Sequence, residues 1–153
     1  MFRIDLVAVG KLKKGPWYDL QEDYASRLKW PLTVHEVESK ITDAKQQQEE
    51  ENKLILSRLD TRSFVIALDE RGDGLRSLDF SHTLEKLRNN GEDRLTFMIG
   101  GACGFTSEVR DRANILLSFG QQTWPHMMVR VMLLEQIYRA QQIMAGHPYH
   151  REG

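Results

Sequence analysis

The residues whose types could do chemistry gather between positions 95 and 130, with a second group at the carboxyl end. Leu95-Thr96-Phe97-Met98-Ile99 is an apolar, β-favouring run that suits a strand buried on both faces. Gly100-Gly101-Ala102-Cys103-Gly104 follows at once, three glycines in five positions, as a backbone needs for a sharp turn or for close approach by a ligand. Thr106-Ser107-Glu108 then offers a helix start, with a hydroxyl to cap free amides and an acid in the first turn. Cys103 stands just ahead of that start, where the helix dipole would lower a thiol pKa and favour nucleophilic chemistry. A phosphatase-like cysteine would want an arginine six residues on, but position 109 is valine and the arginine is Arg110. A lone cysteine that packs as a small residue is the simpler reading. His147 and His150 have the chemistry of metal ligands, yet one cysteine and five histidines make a closed zinc site hard to assemble. Gly10 and Gly15 have Walker-loop spacing, but Pro16 and Trp17 occupy the places of the lysine and the hydroxyl, so phosphoryl transfer is unsupported. The dinucleotide fingerprint fails as well, because the order of Gly100, Gly101 and Gly104 is wrong for it.

The elements that must position these residues belong to a chain of 153 residues, enough for one domain with a real core and too short for two comfortable ones. At 41% hydrophobic and 28% charged, the composition is that of an ordinary globular protein. The formal net charge of −1 excludes steering to nucleic acid by an overall basic field, so any such binding needs a local patch or pooled patches. One cysteine allows no intrachain disulfide and suits a reducing cytoplasm. The run Ile4 to Val9 is too short for a signal or a membrane span, and no other stretch is long enough; the expectation is a cytoplasmic protein without a membrane partner.

Phe2 to Val9 reads as a first strand, and Pro16 opens a helix with Trp17, Leu20, Tyr24 and Leu28 at helical spacing. Leu32 to Val37 is a second strand. Asp43 to Leu59 is a polar helix with a frayed start, its Glu49-Glu50-Glu51 run expected to be a solvated face. Ser63 to Leu68 is a third strand, and Asp69 to Gly74 a loop. Ser77 or Ser81 starts a helix with Phe80, Leu84 and Leu87 inward and Gly91 just past its end. Leu95 to Ile99 and Ile115 to Phe119 are the fourth and fifth strands, with a short helix between them. A loop from Gly120 to Pro125 leads to the last helix, roughly His126 to Ala145.

Strands alternating with helices predict an α/β protein with a mostly parallel sheet covered on both faces. The loops after Leu68, Ile99 and Phe119 carry glycines at strand carboxyl ends, which points to one shared pocket for a flat, adenine-sized ligand. Glycines acting only as turn residues remain the alternative on spacing alone. The last helix is apolar around much of its circumference through Met127, Met128, Val131, Met132, Leu133, Leu134, Ile137 and Tyr138, so it is central or shared with a second copy, and a homodimer is the preferred reading. Arg130, Glu135 and Arg139 on such a helix must be paired or lie in a site.

Taken together, Leu6-Val7-Ala8-Val9-Gly10-Lys11, Ile99-Gly100-Gly101 with Gly104, Trp124-Pro125-His126 with Arg130, Glu135-Gln136-Ile137-Tyr138-Arg139-Ala140 and Pro148-Tyr149-His150 resemble the ribosomal large-subunit methyltransferase H family of SPOUT methyltransferases. The resemblance covers essentially the whole chain, residues 1–153, as one SPOUT domain. It implies an α/β fold with a carboxyl-terminal deep trefoil knot, a homodimer, and S-adenosylmethionine as cofactor; no metal is expected beside it, given the cysteine and histidine count. It implies methylation of a pseudouridine at N3 in large-subunit ribosomal RNA, on the assembled ribosome. An unknotted course would be the expectation from general rules of chain connection. Carried over by position, the cofactor residues are Leu68, Gly100, Phe119, Gly120, Gln121, Gln122, Thr123 and Trp124; relatives often carry Phe or Leu where this chain has Trp124.

The implied reaction needs an in-line nucleophile and a group to accept or compensate the N3 proton, so positioning dominates. His126, Arg130, Tyr149 and His150 are the catalytic candidates: a proton acceptor, a cation near the developing anion, and groups on the tail that stack or grip. Lys11, Lys13 and Lys14 form one basic rim, and Arg139, His147, His150 and Arg151 another, for phosphate contact. Two other classes compete: a non-catalytic ribosome-associated factor, and a nucleotide-binding α/β enzyme with Cys103 as nucleophile.

Overall fold

A computed structural model describes residues 2–152. Five strands, β1 (Arg3–Val9), β2 (Leu32–Val37), β3 (Phe64–Gly74), β4 (Arg94–Ile99) and β5 (Ile115–Ser118), form one sheet in the order β2-β1-β4-β3-β5. Every neighbouring pair is parallel. Five helices intervene: α1 (Pro16–Arg27), α2 (Ala44–Ser57), α3 (Ser77–Asn89), α4 (Ser107–Arg112) and α5 (His126–Met144).

The pleat sorts the core into two layers. Phe2, just ahead of β1, and Ile4, Leu6 and Ala8 within it point to the face covered by α1, α3 and α5, where they meet Phe80, Leu84, Leu133, Leu134 and Ile137. Val7 and Val9 point the other way and pack with Ile55 of α2 and Val109 of α4. Continuous apolar strands of this kind are what a parallel sheet covered on both sides requires.

Four details differ from what local pattern suggests. First, β3 runs on to Gly74, where a loop was expected after Leu68. Leu68 and Asp73 both lie opposite Leu117, so the chain makes an irregular excursion between them before pairing again with β5. Gly72 makes that possible, since a Cβ there would stand 2.4 Å from the backbone carbon and oxygen of Leu116. Second, the acidic run of α2 is not wholly solvated. Glu51 is only 6% exposed and Asn52 only 2%, because both face the loop that follows β4. Third, α2 has no frayed start, since the Asp43 carboxylate accepts a bond from the Gln46 amide as a cap. Fourth, the apolar stripe of α1 is used only in its second half. Tyr24 and Leu28 pack on the core, while Trp17 and Leu20 remain exposed.

Candidate functional site

A cavity of about 560 Å³ opens at the carboxyl ends of β3, β4 and β5. Open α/β sheets bind ligands at this end, beside the point where strand order reverses. Its walls are the three strand-end segments expected to converge: Leu68 to Arg71, Ile99 to Thr106, and Leu117 to Trp124 apart from Gln121. His126 and Val129 of α5, Ser107 and Arg110 of α4 and Gln48 of α2 complete it.

Each wall is braced by short-range bonds. Ser118 Oγ donates to the Gly120 carbonyl at 2.8 Å and accepts the Gly120 amide at 3.1 Å, which folds the chain sharply after β5. Trp124 Nε1 donates to the Phe119 carbonyl at 3.2 Å, tying the two ends of that loop. In the β4 loop, the Gly104 amide donates to the Gly101 carbonyl at 3.0 Å, and the Thr106 side chain caps α4 by accepting the Val109 amide.

Of the residues carried over for cofactor binding, Leu68, Gly100, Phe119, Gly120, Gln122, Thr123 and Trp124 line the cavity, while Gln121 does not. The four catalytic candidates fall in separate places. His126 lies on the cavity wall at the first turn of α5. Burial, and then the nearby Arg130 charge, hold its pKa below the ordinary imidazole value. Arg130 sits one turn further on and is only 1% exposed. Its Nη1 donates to Glu36 Oε2 at 2.5 Å and its Nη2 to the Gly10 carbonyl at 3.2 Å, while the Leu12 amide donates to the same Glu36 oxygen at 2.8 Å. The arginine thus joins α5 to the segments that leave β1 and end β2.

Tyr149 and His150 lie outside the cavity, folded back on the later turns of α5. Tyr149 donates its hydroxyl to Glu135 Oε2 at 2.8 Å; burial, and then that bond, push its pKa up to about 12. Arg139 stacks over the Tyr149 ring at 4.9 Å from its centroid and pairs with Glu135 at 2.8 Å. Arg139 Nη1 lies 2.9 Å from His150 Nδ1, and since a guanidinium only donates, Nδ1 is the acceptor. The remaining ring proton then sits on Nε2, facing Glu152 Oε1 at 2.9 Å. Arg130, Glu135 and Arg139 are accordingly all paired, as buried charge requires.

Sequence reasoning missed Gln48, which reaches this site from α2, and Glu51 and Asn52, which face the loop that forms one of its walls. Their spacing with Ile55 (i, i+3, i+4, i+7) was the available signal, since it marks a single helix face. Among the described residues, no group of three or more His, Cys, Asp or Glu side chains is placed to hold a metal ion, and no helix is long and apolar enough to cross a membrane.

An open parallel sheet with a crevice of glycine-rich main chain at the ends of three strands defines the class: an α/β protein with a ligand site at its strand termini. The family model described as "Predicted SPOUT methyltransferase" matches residues 2–150. Proteins named Ribosomal RNA large subunit methyltransferase H are similar over nearly the full length. The one from Rhodospirillum centenum is 50% identical over 150 residues, covering 97% of this chain and 99% of that protein. Those from Paramagnetospirillum magneticum and Bradyrhizobium diazoefficiens are 47% and 44% identical, with the same shares covered. The chain belongs to the ribosomal RNA large subunit methyltransferase H family of SPOUT methyltransferases. Among solved structures, the SpoU methyltransferase AviRb from Streptomyces viridochromogenes overlaps with a TM-score of 0.48 at 13% identity, covering 95% of this chain and 61% of that one. That likeness is too distant to carry an argument about the site.

Proposed function

We propose that this chain is an S-adenosylmethionine-dependent methyltransferase that modifies N3 of a pseudouridine in large-subunit ribosomal RNA, acting on the assembled ribosome. The names of the full-length relatives support the RNA substrate. The observation that carries the cofactor is the convergence of three strand-end loops on one cavity, the same loops that the family resemblance assigns to it. At about 560 Å³ the cavity lies within the ordinary range for cofactor sites, and its lining of backbone groups with Leu68, Ile99, Phe119 and Trp124 suits an adenosine.

Leu68, Gly100 and the segment from Phe119 to Trp124 would hold the cofactor, mainly through main-chain groups and flat apolar walls. When bound, the sulfonium supplies an electrophilic methyl group. The protein supplies position and proton management. Burial and the Arg130 charge both disfavour protonation of His126, so it stands as neutral imidazole beside the cavity, fit to accept the N3 proton. Arg130, buried one turn behind it and paired with Glu36, acts on the reaction through His126, whose proton affinity its charge lowers. Tyr149 and His150 grip the RNA from the tail. Lys11, Lys13 and Lys14 are exposed and provide phosphate contacts. Residues 1–153 form one catalytic domain, and two copies associate through α5, where Met128, Met132 and Tyr138 are left half-buried. The carboxyl-terminal part is knotted, and the close passage of Gly72 against Leu116 is compatible with that path.

The test is to incubate purified ribosomes with radiolabelled S-adenosylmethionine and this protein, then map the label by mass spectrometry. The expected result is one labelled pseudouridine carrying the methyl on N3. Absence of label, or label on protein or another nucleotide, overturns the reading.

A further inference from the structure

Helix α2 is the element that the functional reading leaves unused, and its inward face is unusual for a covering helix. A helix that only shields a sheet presents apolar residues to it. Here Gln48, Glu51 and Asn52 share the inward face with Ile55, and the two most buried of the polar three are Glu51 and Asn52. Their partners outside α2 all lie in the loop after β4. Gln48 Nε2 donates to the Cys103 carbonyl at 2.8 Å and to the Phe105 carbonyl at 3.4 Å. Asn52 Nδ2 donates to the Gly104 carbonyl at 3.3 Å and to the Gln48 carbonyl at 2.7 Å, while Asn52 Oδ1 accepts the Thr106 amide at 2.9 Å. Four consecutive residues, 103 to 106, are therefore gripped one after another. Glu51 closes the near end, its Oε1 standing 3.0 Å from where a Cβ on Gly101 would be. The gripped segment is also a wall of the cavity, and Gln48 reaches the cavity itself.

A loop with three glycines has many backbone states open to it, and side chains from its own sequence do little to select one. The amides and carbonyls that face a ligand are useful only when held in place beforehand. We infer that Gln48, Glu51 and Asn52 form a positioning site that holds the Gly101–Thr106 loop in its ligand-competent shape and so sets affinity for the cofactor. None of the three is a catalytic residue, and the inference rests on the proposal that the cavity takes S-adenosylmethionine. It separates cofactor affinity from turnover, which a purely stabilising role would not do.

The experiment compares Gln48→Ala and Asn52→Ala with Lys53→Ala, an exposed position on the same helix, in the full-length protein. Three quantities are read: the calorimetric Kd for S-adenosylmethionine, KM and kcat on ribosomes, and hydrogen exchange of the amides from 101 to 106. Gln48→Ala is expected to raise Kd and KM for the cofactor about tenfold, the factor that losing one or two neutral hydrogen bonds supports. Its kcat at saturating cofactor and its thermal midpoint should stay near the parent values, with exchange faster only in the loop. Asn52→Ala should raise Kd and KM more strongly and, because it strands the Thr106 amide, also lower the thermal midpoint, with faster exchange still confined to the loop. Lys53→Ala should change nothing. Parent-like affinity and loop exchange in both variants would overturn the inference. So would uniformly faster exchange across the fold with affinity and stability falling in step. If the parent binds no S-adenosylmethionine, the functional reading fails, and loop exchange alone decides whether α2 positions the loop.

Discussion

Replacing Arg130 by methionine tests how α5 is held over the cavity. The guanidinium is 1% exposed and bridges Glu36 and the Gly10 carbonyl, while the Glu36 side chain keeps 31% of its surface. Breaking a fully buried ion pair by removing one partner costs about 3–5 kcal/mol, because the other charge is stranded. Glu36 can be partly rehydrated, so a loss of roughly 3 kcal/mol is the expectation on that scale. For a chain of this length each kcal/mol lowers the midpoint by about 2–4 °C, so Arg130→Met should melt about 6–12 °C lower by circular dichroism. Adding Glu36→Met removes the stranded carboxylate and should recover part of the loss, though the Leu12 amide then loses its acceptor. The same variant has a kinetic signature. Arg130 holds the His126 pKa down, so its removal should move the acid limb of the kcat/KM profile to higher pH, measured well below the melting range. A parent-like midpoint in the single variant, or a double variant no better than the single, would refute the view that this ion pair anchors the helix.

Three other outcomes follow from the same geometry. Gly72→Ala should cost about 3 kcal/mol or more, above the usual overpacking range, because its Cβ would meet main chain of Leu116 and Leu117 that cannot turn aside; soluble yield and a melting curve check it. Burial raises the Glu51 pKa above the ordinary carboxylate value, so the folded state favours the protonated form. Its stabilising effect is then full below the unfolded value and lost as pH rises through the folded one. Glu51→Gln should therefore gain stability relative to the parent on going from acid to neutral pH, and parallel melting curves across that range would contradict this. Deleting the tail from His147 onward should abolish methylation while leaving cofactor binding largely intact, because Tyr149 and His150 pack on α5 and not on the cavity. Loss of both activities together in calorimetry and turnover assays would count against a substrate-gripping tail.

What the sequence determined by itself was whatever depends on neighbours a few residues away. The apolar runs at Arg3–Val9 and Arg94–Ile99, the helix opened by Pro16, and the glycine clusters at strand ends are local patterns, and each formed the element its period implies. The family motifs were also legible, since they are strings of residue types. Only the tertiary structure decided the order β2-β1-β4-β3-β5, the return of β3 to β5 after Leu68, and the meeting of α2 with the β4 loop. Glu49-Glu50-Glu51 illustrates the difference: nothing in three successive acids tells which one a distant glycine loop will bury. Arg130 shows it again, since its partners Glu36 and Gly10 lie far away in sequence and are chosen by how α5 crosses the sheet. Periodicity says which face of an element turns inward. What waits there is set by long-range packing, which no local pattern encodes.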